Sequence, residues 1–191
     1  MFVDNIRIFA RAGKGGNGLV SFRRAKFVPK GGPDGGDGGD GGSVILEVDP
    51  HTNDLRSFFY DPKLIATDGV GGQSAKKHGK NGKSVIGKVP PGTIIYRSNA
   101  SSMAEATWLE REGEGIELEK IADLTEIGTR FTLCQGGLGG KGNWHFRSAT
   151  NQAPTEAEMG TEGEEGVFFM ELRRICLLYT SPSPRDLSTS R

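Results

Sequence analysis

Three stretches of this sequence are rich in the basic or aromatic side chains that contact with nucleic acid requires. Arginine and lysine bind phosphate, and aromatic rings stack on bases. The candidate residues are Arg23, Arg24, Lys26 and Lys30 in the first stretch, Lys76, Lys77, Lys80 and Lys83 in the second, and Trp144, Phe146 and Arg147 in the third. Taken alone, the first stretch is more typical of a solvated basic loop whose phenylalanines are buried. We therefore predict nucleic-acid binding from the three stretches together.

Other motifs could indicate a nucleotide-binding site, but the elements that flank them do not fit one. The spacing G-x-G-x-x-G of a dinucleotide-binding loop occurs at residues 13–18 and 137–142, and Gly82-Lys83-Ser84 has the ending of a P-loop. Both motifs need a helix directly after the glycines, and the sequence predicts none at these places. His145 has no partner that would make it a catalytic base, so we interpret it as a surface histidine. We predict no catalytic residue.

Asp34, Asp37 and Asp40 recur at every third position and suggest a calcium site. Calcium-binding β-rolls place an apolar residue between their aspartates, and this sequence does not. We therefore predict solvated turn residues here and no metal site. A calcium-stabilised glycine-rich structural domain is kept as an alternative.

The element that would position the basic loops is the glycine-rich run from Gly31 to Gly42. Its glycines come in pairs that recur every three residues. Three residues per turn is the repeat of the left-handed polyproline II helix, which has no internal hydrogen bonds and can order only by packing against neighbours. Residues 13–18, 69–72 and 136–142 can supply those neighbours. We predict a compact bundle whose structural glycines are Gly31, Gly32, Gly35, Gly36, Gly38, Gly39, Gly41 and Gly42.

Between the glycine runs the sequence predicts a mainly β fold. Alternating apolar residues favour strands over residues 2–12, 44–48, 85–89, 93–97, 131–134 and 167–174. Residues 51–60 predict a turn that leads into a strand, residues 103–112 a helix, and residues 116–122 a strand. The hydrophobic content of 35% allows only a modest core.

Composition argues against several classes of protein. Two cysteines are too few for a disulfide scaffold, and the formal net charge of +0 favours no particular partner. No stretch approaches the ~18 apolar residues of a membrane span, and the first residues lack the regions of a signal peptide. We expect a soluble cytoplasmic protein with no membrane partner, which we take to be a monomer.

Several segments together resemble the amino-terminal domain of the Obg family of GTPases. The matching residues are 2–4, 13–18, 21–24, 26–42, 89–93, 136–143, 146 and 163–165. The resemblance implies a glycine-rich bundle of polyproline II helices set on a small β-barrel. It also implies that loops at the tip of the bundle bind the large ribosomal subunit and its rRNA during assembly. A general RNA-binding module, supported by the same basic loops, is the alternative.

The sequence departs from the family pattern after Ile175. In the family a further strand and a true P-loop open the GTPase domain, which lies in cis and would bind GTP and Mg²⁺. Here residues 176–191 are rich in serine and proline, so no GTP, Mg²⁺ or catalytic residue is assigned to this chain. We predict a glycine-rich and β-barrel domain at residues 1–160, a strand leading toward the absent GTPase domain at 161–175, and a disordered tail at 176–191. That tail would be foreign sequence on a truncated gene, or else a native end.

Overall fold

The computed structural model describes residues 3–24, 26, 31–100, 103–112 and 117–173. In this part of the chain the strands are β1 (Asn5–Arg11), β2 (Val44–Val48), β3 (Lys63–Ile65), β4 (Val85–Val89), β5 (Thr93–Ser98), β6 (Leu118–Leu124), β7 (Arg130–Cys134) and β8 (Glu165–Leu172). The helices are α1 (Arg56–Tyr60) and α2 (Met103–Glu112), and a 3₁₀ turn covers Asn143–Phe146. The candidate residue Lys30 and the predicted tail at 176–191 lie outside the described residues.

The strands form two sheets that share one apolar core. The larger sheet has the order β3-β1-β8-β5-β6, and β8 is antiparallel to both of its neighbours. The smaller sheet has the order β4-β2-β7, with β2 parallel to β4 and antiparallel to β7. Ile8, Leu46 and Phe168 are buried in the same core cluster. The mainly β class is confirmed, and neither sheet closes into a barrel within the described residues.

Period-two alternation accounts for β2, in which Val44, Leu46 and Val48 are buried and the residues between them are half-buried. The predicted bounds of β2, β4 and α2 are confirmed. The strand predicted at residues 116–122 is β6, which lies at Leu118–Leu124. Neither helix in the described part of the chain is long and apolar enough to span a membrane.

The strand predicted before Tyr60 is wrong, because residues 56–60 form α1. Leu55 and Phe58 are buried three residues apart, which is the spacing of one helix face, whereas Phe59 is 52% exposed. Asp54 Oδ1 also accepts the N–H of Arg56 at 3.2 Å, at the start of the helix. The prediction of a strand missed this helical spacing.

Six extended segments that are not strands carry the glycine runs of the described chain. They are segment I (12–19), segment II (33–43), segment III (66–73), segment IV (77–84), segment V (135–143) and segment VI (158–164). Main-chain hydrogen bonds join them at intervals of three residues. In segment I, for example, the N–H groups of Gly13, Gly16 and Leu19 donate to carbonyls of segment II that are also three residues apart. The three-residue repeat of the sequence is therefore the repeat of the contacts between segments.

Segment II lies at the centre, because each of its glycine pairs shares hydrogen bonds with several neighbours. The first glycine of a pair donates to segment V, as Gly38 does to Gly140 O at 2.8 Å. The second donates to segment III, as Gly39 does to Val70 O at 2.9 Å. The carbonyl of the second glycine accepts a hydrogen bond from an N–H of segment I. The carbonyl of the residue that follows the pair accepts one from an N–H of segment IV. This sharing satisfies main-chain groups that an isolated extended chain would leave to water.

The close approach of these segments leaves no room for side chains at most of the paired glycines. A Cβ on Gly38 would overlap the carbonyl of Gly16, and one on Gly39 would overlap the carbonyl of Lys80. The same holds for Gly31, Gly35, Gly36, Gly41 and Gly42, each of which faces a main-chain carbonyl. Gly32 differs, since a Cβ there would meet nothing within 4 Å.

Candidate nucleic-acid interface

The loop between segments III and IV is fixed against the start of segment II. Ala75 and Lys76 in this loop have left-handed backbone conformations, with φ of 61° and 55°. Asp34 holds both residues: its carbonyl accepts the Lys76 N–H at 2.7 Å, and its Oδ2 accepts the Ala75 N–H at 3.3 Å. Left-handed conformations are unfavourable for residues other than glycine, so the loop depends on these bonds. The position from which the Lys76 side chain extends is thereby defined.

A groove of about 660 Å³ lies between the first basic stretch and the loop that leads into the second. Arg23 and Arg24 line it with Ser74, Ala75 and Asp34. The main chain at Arg23 is held by its N–H, which donates to Gly32 O at 3.0 Å. In the described structure Asp34 Oδ1 is buried and has no hydrogen-bond partner. Two exposed arginines thus stand next to the loop that carries Lys76.

Asn143 fixes the start of the third stretch. It is fully buried, and its Oδ1 accepts the N–H of Gly35 at 2.9 Å. Its Nδ2 donates to the carbonyls of Ser21 and Pro154, both at 3.0 Å. One side chain therefore ties the first basic stretch, segment II and the 3₁₀ turn of the third stretch to one another.

The second and third stretches meet where Lys76 lies over Trp144. The ammonium of Lys76 is 4.7 Å from the centroid of the indole, which is within the range of a cation–π contact. Trp144 is 37% exposed, so part of its ring still faces solvent. Phe146 is half-buried and Arg147 is exposed just after it. The structure thus places described residues of all three stretches, namely Arg23, Arg24, Lys76 and Trp144, at the same end of the glycine-rich segments, which we call the tip.

Asp37 lies beneath this contact with both carboxylate oxygens engaged. Its Oδ1 accepts the N–H of Gly142 at 2.7 Å, and its Oδ2 lies 2.8 Å from His145 Nε2 and 3.3 Å from His78 Nε2. Burial acts to raise the pKa of Asp37, but the Gly142 bond and the two imidazoles outweigh it, so the pKa lies below its usual value. The carboxylate is therefore ionised wherever this tip is folded near neutral pH.

The interpretation of the aspartates as solvated turn residues is correct for the exposure of Asp40 but misses the bonds of the three carboxylates. Each accepts a main-chain N–H from another part of the chain: Asp34 from Ala75, Asp37 from Gly142, and Asp40 from Gly139 at 2.9 Å. The paired glycines bring neighbouring segments so close that the side chain at the third position of each repeat reaches a main-chain N–H. Among the described residues no group of three His, Cys, Asp or Glu is arranged to hold a metal ion.

The remaining predicted cations extend the basic surface away from the tip. Lys77 begins segment IV, and Lys80 and Lys83 follow along it toward β4, all exposed. Lys26 is exposed as well. Within the described part of the chain, Arg23, Arg24, Lys77, Lys80, Lys83 and Arg147 form no ion pair with a carboxylate. Cations elsewhere do pair, as Lys14 does with Glu162 at 2.6 Å.

The glycine motifs with nucleotide-binding spacings belong to the packed segments. Gly82 N–H donates to Asp40 O at 2.7 Å, and Lys83 N–H donates to Thr67 Oγ1 at 2.6 Å. Strand β4 follows them where a P-loop requires a helix. A phosphate cradle needs free main-chain N–H groups, and here these groups are already bonded. The residues do not fit GTP, and no nucleotide chemistry is assigned to them.

Sequence reasoning missed Asn143, Asp37 and His145 as organising residues of this tip. Asp37 could have been identified from the recurrence of aspartate at every third position. If the glycine pairs mark close contacts between segments, the aspartate of each repeat lies within reach of a neighbouring segment. Asn143 and His145 carry no comparable signal, because their partners are distant in sequence: Gly35 lies 108 positions from Asn143, and Asp37 lies 108 positions from His145.

Comparisons with known proteins bear directly on the sequence resemblance. Residues 3–174 match the family model described as GTP1/OBG. The chain is 48% identical over 177 residues to a "GTPase Obg" of Methylacidiphilum infernorum (isolate V4), covering 92% of this chain and 48% of that relative. It is 49% identical over 172 residues to a "GTPase Obg" of Chlorobium chlorochromatii (strain CaD3), covering 90% of this chain and 46% of the relative.

A "GTPase Obg" of Clostridioides difficile (strain 630) is 46% identical over 175 residues, which is 92% of this chain and 37% of the relative. The chain thus spans about half, or less, of the length of these relatives. The match extends from the first glycine run through β8 and includes all three basic stretches. The predicted resemblance is confirmed: this chain belongs to the GTP1/OBG family.

Proposed function

We propose that this chain is the ribosome-binding part of an Obg-type GTPase that acts in assembly of the large ribosomal subunit. Its partner would be the large subunit, and its contacts would be to rRNA. Membership of the GTP1/OBG family and relatives named "GTPase Obg" support the GTPase context. The ribosomal role is supported by the tip, where basic side chains of the first and second stretches lie close to an aromatic side chain of the third.

The observation that carries this proposal is the convergence of these cations. Arg23 and Arg24 share a groove with Ala75, and Lys76 lies against Trp144. Arginines and lysines without carboxylate partners keep their charge available for phosphate, so binding releases counterions from the RNA. Exposed parts of Trp144 and Phe146 would add stacking on unpaired bases. Such a tip fits a cleft lined with RNA better than it fits a small molecule.

The bundle would serve as the rigid support of this tip. We propose that segments I to VI are polyproline II helices, since their bonds recur every three residues and Gly142 has φ −76° and ψ 165°. We also propose that the two sheets form a small, incompletely closed barrel at the base. Residues 1–160 would form the bundle and barrel, and residues 161–175 would lead toward a GTPase domain in cis.

GTP and Mg²⁺ belong in this proposal to the rest of a full-length protein. The relatives are more than twice as long as the aligned region, which leaves room for a separate nucleotide-binding domain. We propose a cytoplasmic monomer without a membrane partner, because ribosome assembly takes place there.

A general RNA-binding module is the second candidate, because the same cations would bind any RNA. The two differ in selectivity: a ribosome-assembly domain should prefer large subunits over an excess of bulk RNA, and a general module should not. The precise placement of the cations in Asp34-bonded and Asn143-bonded loops favours the selective function, since unspecific binding does not need fixed loops.

The experiment is co-sedimentation of the chain with purified large ribosomal subunits at several salt concentrations. We expect saturable binding that survives competition by bulk RNA. The double variant Arg23→Gln/Arg24→Gln should weaken binding and reduce the salt slope by up to about two, since each phosphate contact contributes roughly 0.7–0.9. Lys63→Gln/Lys120→Gln is the matched control, because it removes the same charge from β3 and β6. Equal losses in the two variants would refute a role for the tip, and efficient competition by bulk RNA would favour the general module.

A further inference from the structure

A continuous series of contacts runs from Asp37 to Lys76. Asp37 Oδ2 lies 2.8 Å from His145 Nε2, and the His145 ring centroid lies 4.1 Å from that of Trp144. The ammonium of Lys76 is 4.7 Å from the Trp144 centroid. These four residues come from segment II, the 3₁₀ turn and the loop between segments III and IV. The series therefore crosses every element that forms this side of the tip.

We propose that Asp37 is a positioning residue of the RNA-contacting tip, which holds Lys76 in its phosphate-binding place through His145 and Trp144. This inference deepens the proposed function and rests on it. Trp144 then acts mainly by presenting Lys76, in addition to any stacking by its exposed edge. A lysine has a long flexible stem, so holding its ammonium against an aromatic ring before binding reduces the entropy lost when phosphate is bound.

Asp37 differs in this respect from the other two aspartates of segment II. All three accept a main-chain N–H, but among the described contacts only Asp37 uses its second oxygen to hold imidazoles. Its second imidazole, that of His78 at 3.3 Å, belongs to segment IV and ties that segment to the same carboxylate. Asp40 is therefore a matched reference, because it makes the same amide bond without the histidines.

The charges around Asp37 make the prediction unusually sharp. The surrounding elements carry Lys76, Lys77 and Lys80 on the loop and segment IV, Arg147 after the 3₁₀ turn, and Asp34 and Asp40 on segment II. Removing a carboxylate from such a surface should by itself strengthen RNA binding, because it removes repulsion of phosphate. If Asp37 positions Lys76, its removal should weaken binding instead. The two effects have opposite signs.

The test compares Asp37→Asn with Asp40→Asn. Each variant keeps an oxygen that can accept the amide N–H and loses one negative charge, so both should remain folded. Co-sedimentation with purified large ribosomal subunits is the first measurement. We expect Asp37→Asn to weaken binding by about two- to fivefold, the range of an exposed cation–π contact, and Asp40→Asn to leave it equal or slightly tighter. Tighter binding by Asp37→Asn would overturn the inference.

A double-mutant cycle connects Asp37 to Lys76. In a Lys76→Ala background, Asp37→Asn should cost no further affinity, because the side chain that it positions is gone. Additive losses would show that Asp37 acts on some other part of the surface, and would overturn the inference even if the single variant binds weakly.

The fluorescence of Trp144 tests the positioning without any RNA. In a Trp108→Phe background Trp144 is the only tryptophan. Asp37→Asn should shift its emission to the red and raise its quenching by acrylamide, whereas Asp40→Asn should change neither. An unchanged spectrum for Asp37→Asn would refute the positioning. If the wild-type chain fails to bind subunits while the spectrum responds as expected, the proposed function fails and Asp37 stands only as an organiser of the loop.

Discussion

Substituting alanine at two glycines of the central run should change stability in opposite directions. A Cβ on Gly38 would overlap the carbonyl of Gly16, well inside the 3.0 Å that Cβ atoms keep from other atoms. Segment I would have to move away from segment II. A Cβ on Gly32 would meet nothing within 4 Å, and this glycine has no left-handed backbone conformation. The same chemical change therefore meets a packed contact at one site and open space at the other.

The magnitudes follow from the bonds that would be disturbed. Moving segment I away from Gly38 strains the bond from Gly16 N–H to Gly39 O at 2.8 Å and the bond from Gly140 N–H to Gly16 O at 2.9 Å. Each buried main-chain group that loses its partner costs about 1–3 kcal/mol, so Gly38→Ala should reduce the free energy of unfolding by roughly 3–5 kcal/mol. Gly32→Ala should increase it by about 0.4–1 kcal/mol, because alanine lowers the entropy of the unfolded chain.

Urea denaturation of both variants beside the wild type measures these differences directly. A loss of several kcal/mol is a large share of the roughly 5–15 kcal/mol that stabilise a domain, so Gly38→Ala should unfold at much lower urea. If the two variants had equal midpoints, the close approach of the segments would not govern stability. The conclusion that the paired glycines are required for this close approach would then be refuted.

Four further outcomes are expected. Asn143→Ala should lower the free energy of unfolding by roughly 2–4 kcal/mol in thermal denaturation, because it removes the partners of the Gly35 N–H and the Pro154 carbonyl, whereas the Ser21 carbonyl keeps its bond from the Asp34 N–H. A loss below about 0.5 kcal/mol, the size of a neutral surface change, would contradict this. The pKa of Asp37 lies below its usual value of 3.8, so its stabilisation is present above that pH and is lost as pH falls through the folded value. The stability difference between wild type and Asp37→Asn should accordingly shrink as the pH falls below 3.8. Burial raises the pKa of the Cys134 thiol to about 12, so in a Cys176→Ser background a thiol reagent near neutral pH should react only after unfolding. EDTA should leave the melting temperature unchanged, because the aspartates of segment II accept amides; a lower melting temperature would revive the calcium-stabilised alternative.

Local sequence patterns were sufficient for most of the strands and insufficient for β3 and for the tip. Strand β2 and helix α2 follow from residue spacing within a few positions, so their bounds could be predicted. Helix α1 was missed because its five residues are too short for a clear period, and burial of Leu55 and Phe58 decided the outcome. The period of three in residues 31–42 indicated packing of extended segments, but it could not indicate which neighbour each glycine would meet.

Contacts between distant residues account for most of what the sequence did not show. The basic stretches were visible as composition, whereas their meeting at one end depends on Asp34 bonding Lys76 and on Asn143 bonding Gly35. Such pairs are set by the topology of the segments and leave no local pattern. The left-handed backbone at Ala75 and Lys76 also depends on a distant residue, since neither residue favours this conformation and the N–H groups of both donate to Asp34.

The hydrogen bonding of the segments also bears on the order of events during synthesis of the protein. Segment I cannot hold its extended form alone, and part of its bonding comes from segment VI, as in the bond from Gly15 N–H to Thr161 O. Bonds of such long sequence separation form slowly, because a large loop must close before they stabilise anything. On the ribosome, the first glycine run would emerge more than a hundred residues before its last partner. We expect the bundle to assemble in one late cooperative step, and until then the nascent chain would expose unpaired main-chain groups that invite contact with chaperones.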